Sequence, residues 1–128
     1  MSKNLLLIIN PIAGKRKSVD FLPKITKKLE AADYSVSVKY TEIDKNAYYV
    51  TKNYGEGNEV IICCGGDGTL KETICGVMEL KLPVKIGYIP FGTTNDFAHS
   101  LHIPTDAEDA IEAVLKGKTR AIDIGDFD

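Results

Sequence analysis

The chain has 128 residues, sixteen basic and eighteen acidic, with a net charge of -2, so it forms one domain able to bury roughly two thirds of its unfolded surface and shows no overall basic field that would suit nucleic acid. Its longest apolar runs, 5–9 and 60–64, fall far short of the roughly 20 residues of a membrane span, and the first is too short for a secretory signal and precedes no small-residue cleavage site, which points to the cytoplasm. Cys63, Cys64 and Cys75 are odd in number, lack metal-ligand spacing and sit in apolar segments, which predicts buried, reduced thiols.

The continuous apolar run 4–9 reads as a buried strand, broken by Asn10-Pro11-Ile12-Ala13-Gly14. Phe21 or Leu22, Ile25, Leu29 and Ala32 then recur at helical spacing, with Lys24, Lys27, Lys28 and Glu30 on the other face. Pro23 is expected in the first turn, with Ser18 or Asp20 as cap and Asp33 closing the helix. Val36, Val38 and Tyr40 alternate with polar residues as in a half-buried strand that ends at Thr41. Ala47, Val50 and Tyr54 predict a short helix over 45–54, stopped by Gly55-Glu56-Gly57.

The next apolar strand, 60–63, runs into Cys64-Gly65-Gly66-Asp67-Gly68-Thr69. An amphipathic helix with Leu70, Ile74, Val77 and Met78 on its apolar stripe follows, and Leu82-Pro83 stops it before a strand over 84–89. The loop Pro90-Phe91-Gly92-Thr93-Thr94-Asn95-Asp96 leads to a helical turn at Phe97, Ala98 and Leu101. Thr105-Asp106-Ala107-Glu108 is a capping box for a helix with Ile111, Val114 and Leu115 inside and Gly117 at its end, and a last strand over 120–124 carries Asp123. Strand and helix alternate throughout, which predicts an α/β fold: an open, mostly parallel sheet with helices on both faces, a Rossmann-like three-layer sandwich. Ligands of such sheets bind beyond the carboxyl ends of the strands, where the loops at Asn10, Thr41, Gly65 and Gly92 gather.

The 64–69 stretch carries the chemistry. Glycines allow a ligand close to the backbone, and a helix N-terminus offers N–H groups and a positive dipole end, so the turn favours an anion and most readily a phosphate. Asp67 would repel a phosphate unless a divalent cation stood between them. With Asp96 and Asp123, which stands between Ile122 and Ile124 where an unpaired carboxylate is costly to bury, it makes an acidic set suited to a nucleotide phosphate site with Mg2+. Neither the P-loop nor the dinucleotide glycine fingerprint occurs.

Gly65-Gly66-Asp67-Gly68-Thr69, with Asn10-Pro11-x-Ala13-Gly14 before it and Pro90-x-Gly92-Thr93-x-Asn95-Asp96-Phe97-Ala98 after it, resembles the catalytic domain of the diacylglycerol kinase family, the bacterial lipid kinases above all. The resemblance runs from Leu5 to Gly125 and includes Asp123-Ile124-Gly125. It implies that Asn10, Pro11, Ile12, Ala13, Gly14, Thr41, Gly66, Asp67, Gly68, Thr69, Leu70, Lys71, Glu72 and Thr93 line an ATP site. It further implies that Asp67, Asp96 and Asp123 form a catalytic acidic group tied to Mg2+, Asp67 binding the metal directly or through water. The function implied is transfer of the ATP γ-phosphoryl group to a lipid hydroxyl, of diacylglycerol or a related lipid.

In that family a mostly β domain follows, supplying the lipid surface, further metal contacts and the base. Residues 1–128 are then expected to be the nucleotide-binding half, inactive alone, with the full-length protein touching membrane surfaces transiently and the truncated edge inviting homodimers. Two departures concern substrate preference: Cys75 stands where the family usually has asparagine, and His99 where arginine is common. Gly-Gly-Asp-Gly-Thr is shared with NAD kinases, so an NAD kinase-like phosphotransferase and a nucleotide-binding module without catalysis are the alternatives. Lys15-Arg16-Lys17 reads as a solvated helix start or a screen for ATP, His99 and His102 as surface or packing residues, and Tyr34, Tyr40, Tyr48, Tyr49 and Tyr54 as structural.

Overall fold

The computed structural model describes residues 3–12 and 17–91. Within them run β1 (Lys3–Ile9), α1 (Lys17–Ala31), β2 (Tyr34–Tyr40), α2 (Ala47–Tyr54), β3 (Val60–Gly65), α3 (Asp67–Leu80) and β4 (Lys85–Pro90). The four strands form one parallel sheet in the order β2-β1-β3-β4. A parallel sheet is covered on both faces, which is why β1 and β3 are apolar runs without alternation.

The two-residue period of a strand divides the core between those faces. Leu5, Leu7 and Ile9 join Ile62 and Cys64 beneath Ile25 and Leu29 of α1. Leu6 and Ile8 join Ile61 and Cys63 beneath Val50 of α2 and Leu70 and Val77 of α3. The molecule is thus the three-layer α/β arrangement expected. On the second face α2 and α3 lie very close, since a Cβ on Gly76 would stand 2.8 Å from Thr51 Cβ. At their outer side Lys52 pairs with Glu79 at 2.9 Å and the Tyr48 hydroxyl donates to the same carboxylate, an exposed arrangement that adds little stability.

Local structure departs from expectation at several points. α1 begins at Lys17, so Ser18 and Asp20 lie within the helix and neither caps it. Pro23 is in the second turn, where it has no N–H to donate to the carbonyl four residues back. Burial of Ile25 and Leu29, both wholly buried, outweighs that loss. α1 stops at Ala31, and Asp33 takes the left-handed conformation at φ 73, a role that a short polar side chain tolerates. α2 starts at Ala47 because Asn46 caps it, its side chain accepting from Tyr49 N.

Tyr40 on edge strand β2, Met78 and Cys75 are exposed. The last two correct the buried stripe and the buried thiol expected for α3: helical geometry turns both to the side away from the sheet. The turn, helix and strand expected over 97–101, 105–117 and 120–124 lie outside the described residues.

Cys63 and Cys64 are buried and unpaired. Desolvation pushes the Cys63 thiol up to about 12 from an ordinary 9.0 and raises Cys64 well above that value too. The native state therefore keeps protons that the unfolded chain releases, so this contribution is complete below about pH 9 and is lost as pH rises toward the native value. Urea unfolding should give a lower midpoint at about pH 10.5 than at about pH 7.5, and Cys63→Ala should shrink that difference. A midpoint independent of pH over this window would contradict the assignment.

Candidate functional site

The strand order places the topological switch point between β1 and β3, since β1 connects outward to β2 through α1 on one face and β3 outward to β4 through α3 on the other. Backbone bonds continue the sheet one step past its strands: Asn10 N donates to Cys64 O at 2.9 Å, Thr41 N to Ile9 O at 2.8 Å, and Phe91 N to Gly65 O at 2.8 Å. The loops after all four strands consequently start level along one edge, as expected.

Asn10 ties the two central loops together. Its Oδ1 accepts from Ile12 N at 3.2 Å, fixing the turn through Pro11, and its Nδ2 points to Thr69 Oγ1 at 3.5 Å, on the first turn of α3. That turn packs tightly on β3: a Cβ on Gly65 would stand 2.6 Å from Thr69 Oγ1. Gly66 is the N-cap of α3 and, being glycine, offers no side-chain acceptor of its own to the first-turn amides. Around Gly68 a Cβ would meet nothing within 4 Å among the described residues. Thr73 Oγ1 donates to Thr69 O at 2.9 Å and stays within the helix.

Beside this turn opens a cleft of about 640 Å³, walled by Asn10, Pro11 and Ile12 on the β1 side and Thr41, Thr69 and Glu72 opposite. The volume lies within the roughly 300–1,000 Å³ of small-molecule sites. Its far wall is the turn 42–45, closed by Glu42 N to Lys45 O at 2.9 Å and Lys45 N to Glu42 O at 3.2 Å. Ile43 at the tip and Ile12 across from it are strongly exposed apolar residues. Glu72 Oε1 accepts from Ala47 N at 3.3 Å, joining α3 to the first residue of α2.

Asp67 is the first residue of α3 and is half-buried, and its Oδ1 accepts from the Tyr88 hydroxyl at 3.3 Å. Burial, then the neighbouring Cys63 and Asp67, hold the Tyr88 phenol well above its usual range, so it stays protonated and donates.

Of the residues expected at a nucleotide site, the structure brings Asn10, Pro11, Ile12, Thr41, Thr69 and Glu72 to one cleft, with Gly66, Asp67 and Gly68 beside it at the start of α3. Leu70 has its side chain wholly within the core and Lys71 is turned to solvent, so the cleft walls include neither. Ala13, Gly14, Thr93, Asp96 and Asp123 lie outside the described residues. Sequence reasoning missed the turn 42–45, Asn46 and Tyr88. Asn46 carried a readable cap signal, an asparagine directly before an apolar helical pattern, and Tyr88 was the one hydroxyl in an apolar strand.

The chemistry of the set fits a phosphate-bearing ligand at the α3 end, while Glu42, Asp44 and Glu72 make the other walls acidic and suit a hydroxyl- or amine-bearing portion. No group of three histidine, cysteine, aspartate or glutamate side chains able to hold a metal occurs among the described residues. The half-buried carboxylate of Asp67, beside the start of α3, has the oxygen chemistry that suits a divalent cation shared with ligand phosphates.

Fold and cleft together define an open α/β domain whose ligand site sits at the switch point of a parallel sheet. Residues 4–127 match the family described as diacylglycerol kinase catalytic domain, and the chain belongs to that family. It is 38% identical over 126 residues to a diacylglycerol kinase of Staphylococcus carnosus, covering 98% of this chain and 41% of the relative. It is 39% identical to one of Staphylococcus aureus, covering 98% and 40%. A crystal structure of a diacylglycerol kinase from Bacillus anthracis superposes with a TM-score of 0.79 at 32% identity, over 89% of this chain and 40% of that one. The chain thus spans about two fifths of the length of the curated relatives it matches.

Proposed function

We propose that this chain is the nucleotide-binding part of an ATP-dependent lipid kinase that transfers the γ-phosphoryl group to the hydroxyl of diacylglycerol or a related lipid. The observation that carries the reading is the start of α3. A glycine N-cap, a glycine backbone open among the described residues and a carboxylate at the first helical residue stand beside a cleft of nucleotide size in a member of this family. Phosphoryl transfer needs positioning and charge neutralisation more than covalent chemistry. In this reading the first-turn amides and Thr69 hold phosphate oxygens, Asn10 fixes Thr69, and Thr41 and Glu72 take the nucleoside.

Asp67, with Asp96 and Asp123, would hold Mg2+, and the ion when bound would supply charge neutralisation at the phosphates. Ala13, Gly14 and Thr93 complete the nucleotide contacts. The lipid surface and the base belong to a following β domain, so residues 1–128 alone are inactive. We place the protein in the cytoplasm, meeting its lipid by transient surface contact and forming homodimers; among the described residues no helix is long and apolar enough to cross a membrane.

The test is an assay of the full-length protein with γ-labelled ATP and Mg2+, offering diacylglycerol in mixed micelles and, separately, NAD. Label in the lipid is the expected result. Label in NAD alone would favour an NAD kinase-like enzyme, and ATP binding without transfer to any lipid would favour a module without catalysis.

A further inference from the structure

Tyr88 brings a phenol into a core cluster otherwise made of aliphatic side chains and the Cys63 thiol. It is 2% exposed and sits in register beside Cys63 on the α3 face of the sheet. A hydroxyl in such surroundings is unfavourable unless it finds an acceptor, and an aliphatic or phenylalanine side chain would fill the volume without that cost. The acceptor here is Asp67 Oδ1 at 3.3 Å, the single hydrogen-bond partner of this hydroxyl among the described residues. The bond joins strand β4 to the first residue of α3, from inside the core to the edge of the cleft.

We infer that Tyr88 is a positioning residue for Asp67: its hydroxyl anchors one carboxylate oxygen from below and so fixes how the carboxylate is offered at the start of α3. The inference rests on the reading of Asp67 as the Mg2+ organiser. A carboxylate held at one oxygen by a buried donor keeps one rotamer, and a cation shared with phosphates is sensitive to that geometry. A merely structural tyrosine would act on the core alone, with no dependence on the metal.

The experiment is a double-mutant cycle on the full-length protein, measuring ATP affinity by calorimetry with and without Mg2+ in wild type, Tyr88→Phe, Asp67→Ala and the double variant. Tyr88→Phe should lower the Mg2+-dependent gain in ATP affinity about tenfold, the scale of a hydrogen bond to a charged group, while Mg2+-free affinity stays within about twofold. In the Asp67→Ala background the same change should have no further effect. An equal loss with and without Mg2+, or an equal loss in both backgrounds, overturns the inference. If Asp67→Ala itself keeps the full Mg2+-dependent gain, the reading of Asp67 fails and takes the inference with it. If instead Asp67→Ala removes the gain and Tyr88→Phe does not, only the inference fails.

Should Tyr88→Phe not fold, tyrosine ring-carbon NMR supplies the second measurement. The Tyr88 resonance should move on Asp67→Ala and on adding Mg2+ with ATP, with Tyr34 at the far end of the sheet unmoved. A Tyr88 resonance indifferent to both overturns the assignment.

Discussion

Asp67→Asn is expected to slow phosphoryl transfer by at least about a thousandfold, roughly 4 kcal/mol of transition-state stabilisation, while the fold persists. Asparagine keeps the size of aspartate and can still accept from the Tyr88 hydroxyl, so the packing beneath α3 survives. Lost is the charge. On the proposed reading that charge is part of what would hold Mg2+ against the ligand phosphates. The stability change should be small, within about 1 kcal/mol, because a negative charge at the first residue of a helix adds only that much. Steady-state rates of the full-length protein and a thermal melt decide it: retention of more than about a tenth of the activity in a folded variant would remove Asp67 from the metal site.

The second large effect is expected at Gly65, the last residue of β3. Alanine there would bring Cβ to 2.6 Å from Thr69 Oγ1 and 2.9 Å from Thr69 Cβ, closer than real atoms come, and the obstacle is the root of a side chain on a helix rather than a flexible tip. The first turn of α3 has to shift, and overpacking of this kind costs about 1–3 kcal/mol. The same shift pulls Thr69 from Asn10, so ATP affinity should fall together with stability. Thr69→Ala removes the hydroxyl, the nearest obstacle, and leaves Thr69 Cβ at 2.9 Å, so it should restore part of the stability of Gly65→Ala though not its ATP affinity. Urea titration of the single and double variants reads the coupling, and strictly additive losses would show that the two residues do not collide.

Much of the fold was legible because both central strands are buried on two faces and therefore appear as unbroken apolar runs, with helix periods between them. The errors have local causes. Pro23 is tolerated in the second turn of α1 because Ile25 and Leu29 are fully buried, a tertiary effect that outweighs a backbone preference. Met78 and Cys75 fall on the outer side of α3, a phase that apolar character alone does not set. The centre of the site was readable, since glycines, a carboxylate and a threonine after a strand have a physical meaning wherever they occur. Its outer wall was not: Glu42, Ile43 and Asp44 acquire a role only when the parallel register brings the end of β2 beside that of β1. Leu70 shows the limit of carrying over a motif as a block, because adjacent helical residues point in directions about 100° apart and one of them has to face the core.

The bond between Asn10 and Thr69 spans 59 positions of chain, and β1 pairs with β3 only after β2 and both intervening helices have been made. Loop closure over such a separation comes before any contact that rewards it. During synthesis, therefore, the parallel βαβ unit of β1, α1 and β2 can assemble early, and with the turn after it carries the cleft walls up to Asn46 but not Thr69 or Glu72. The cleft is incomplete until β3 pairs on the other side of β1 and α3 follows it, so a ligand that needs Thr69 or Glu72 can stabilise the finished sheet but cannot template its assembly.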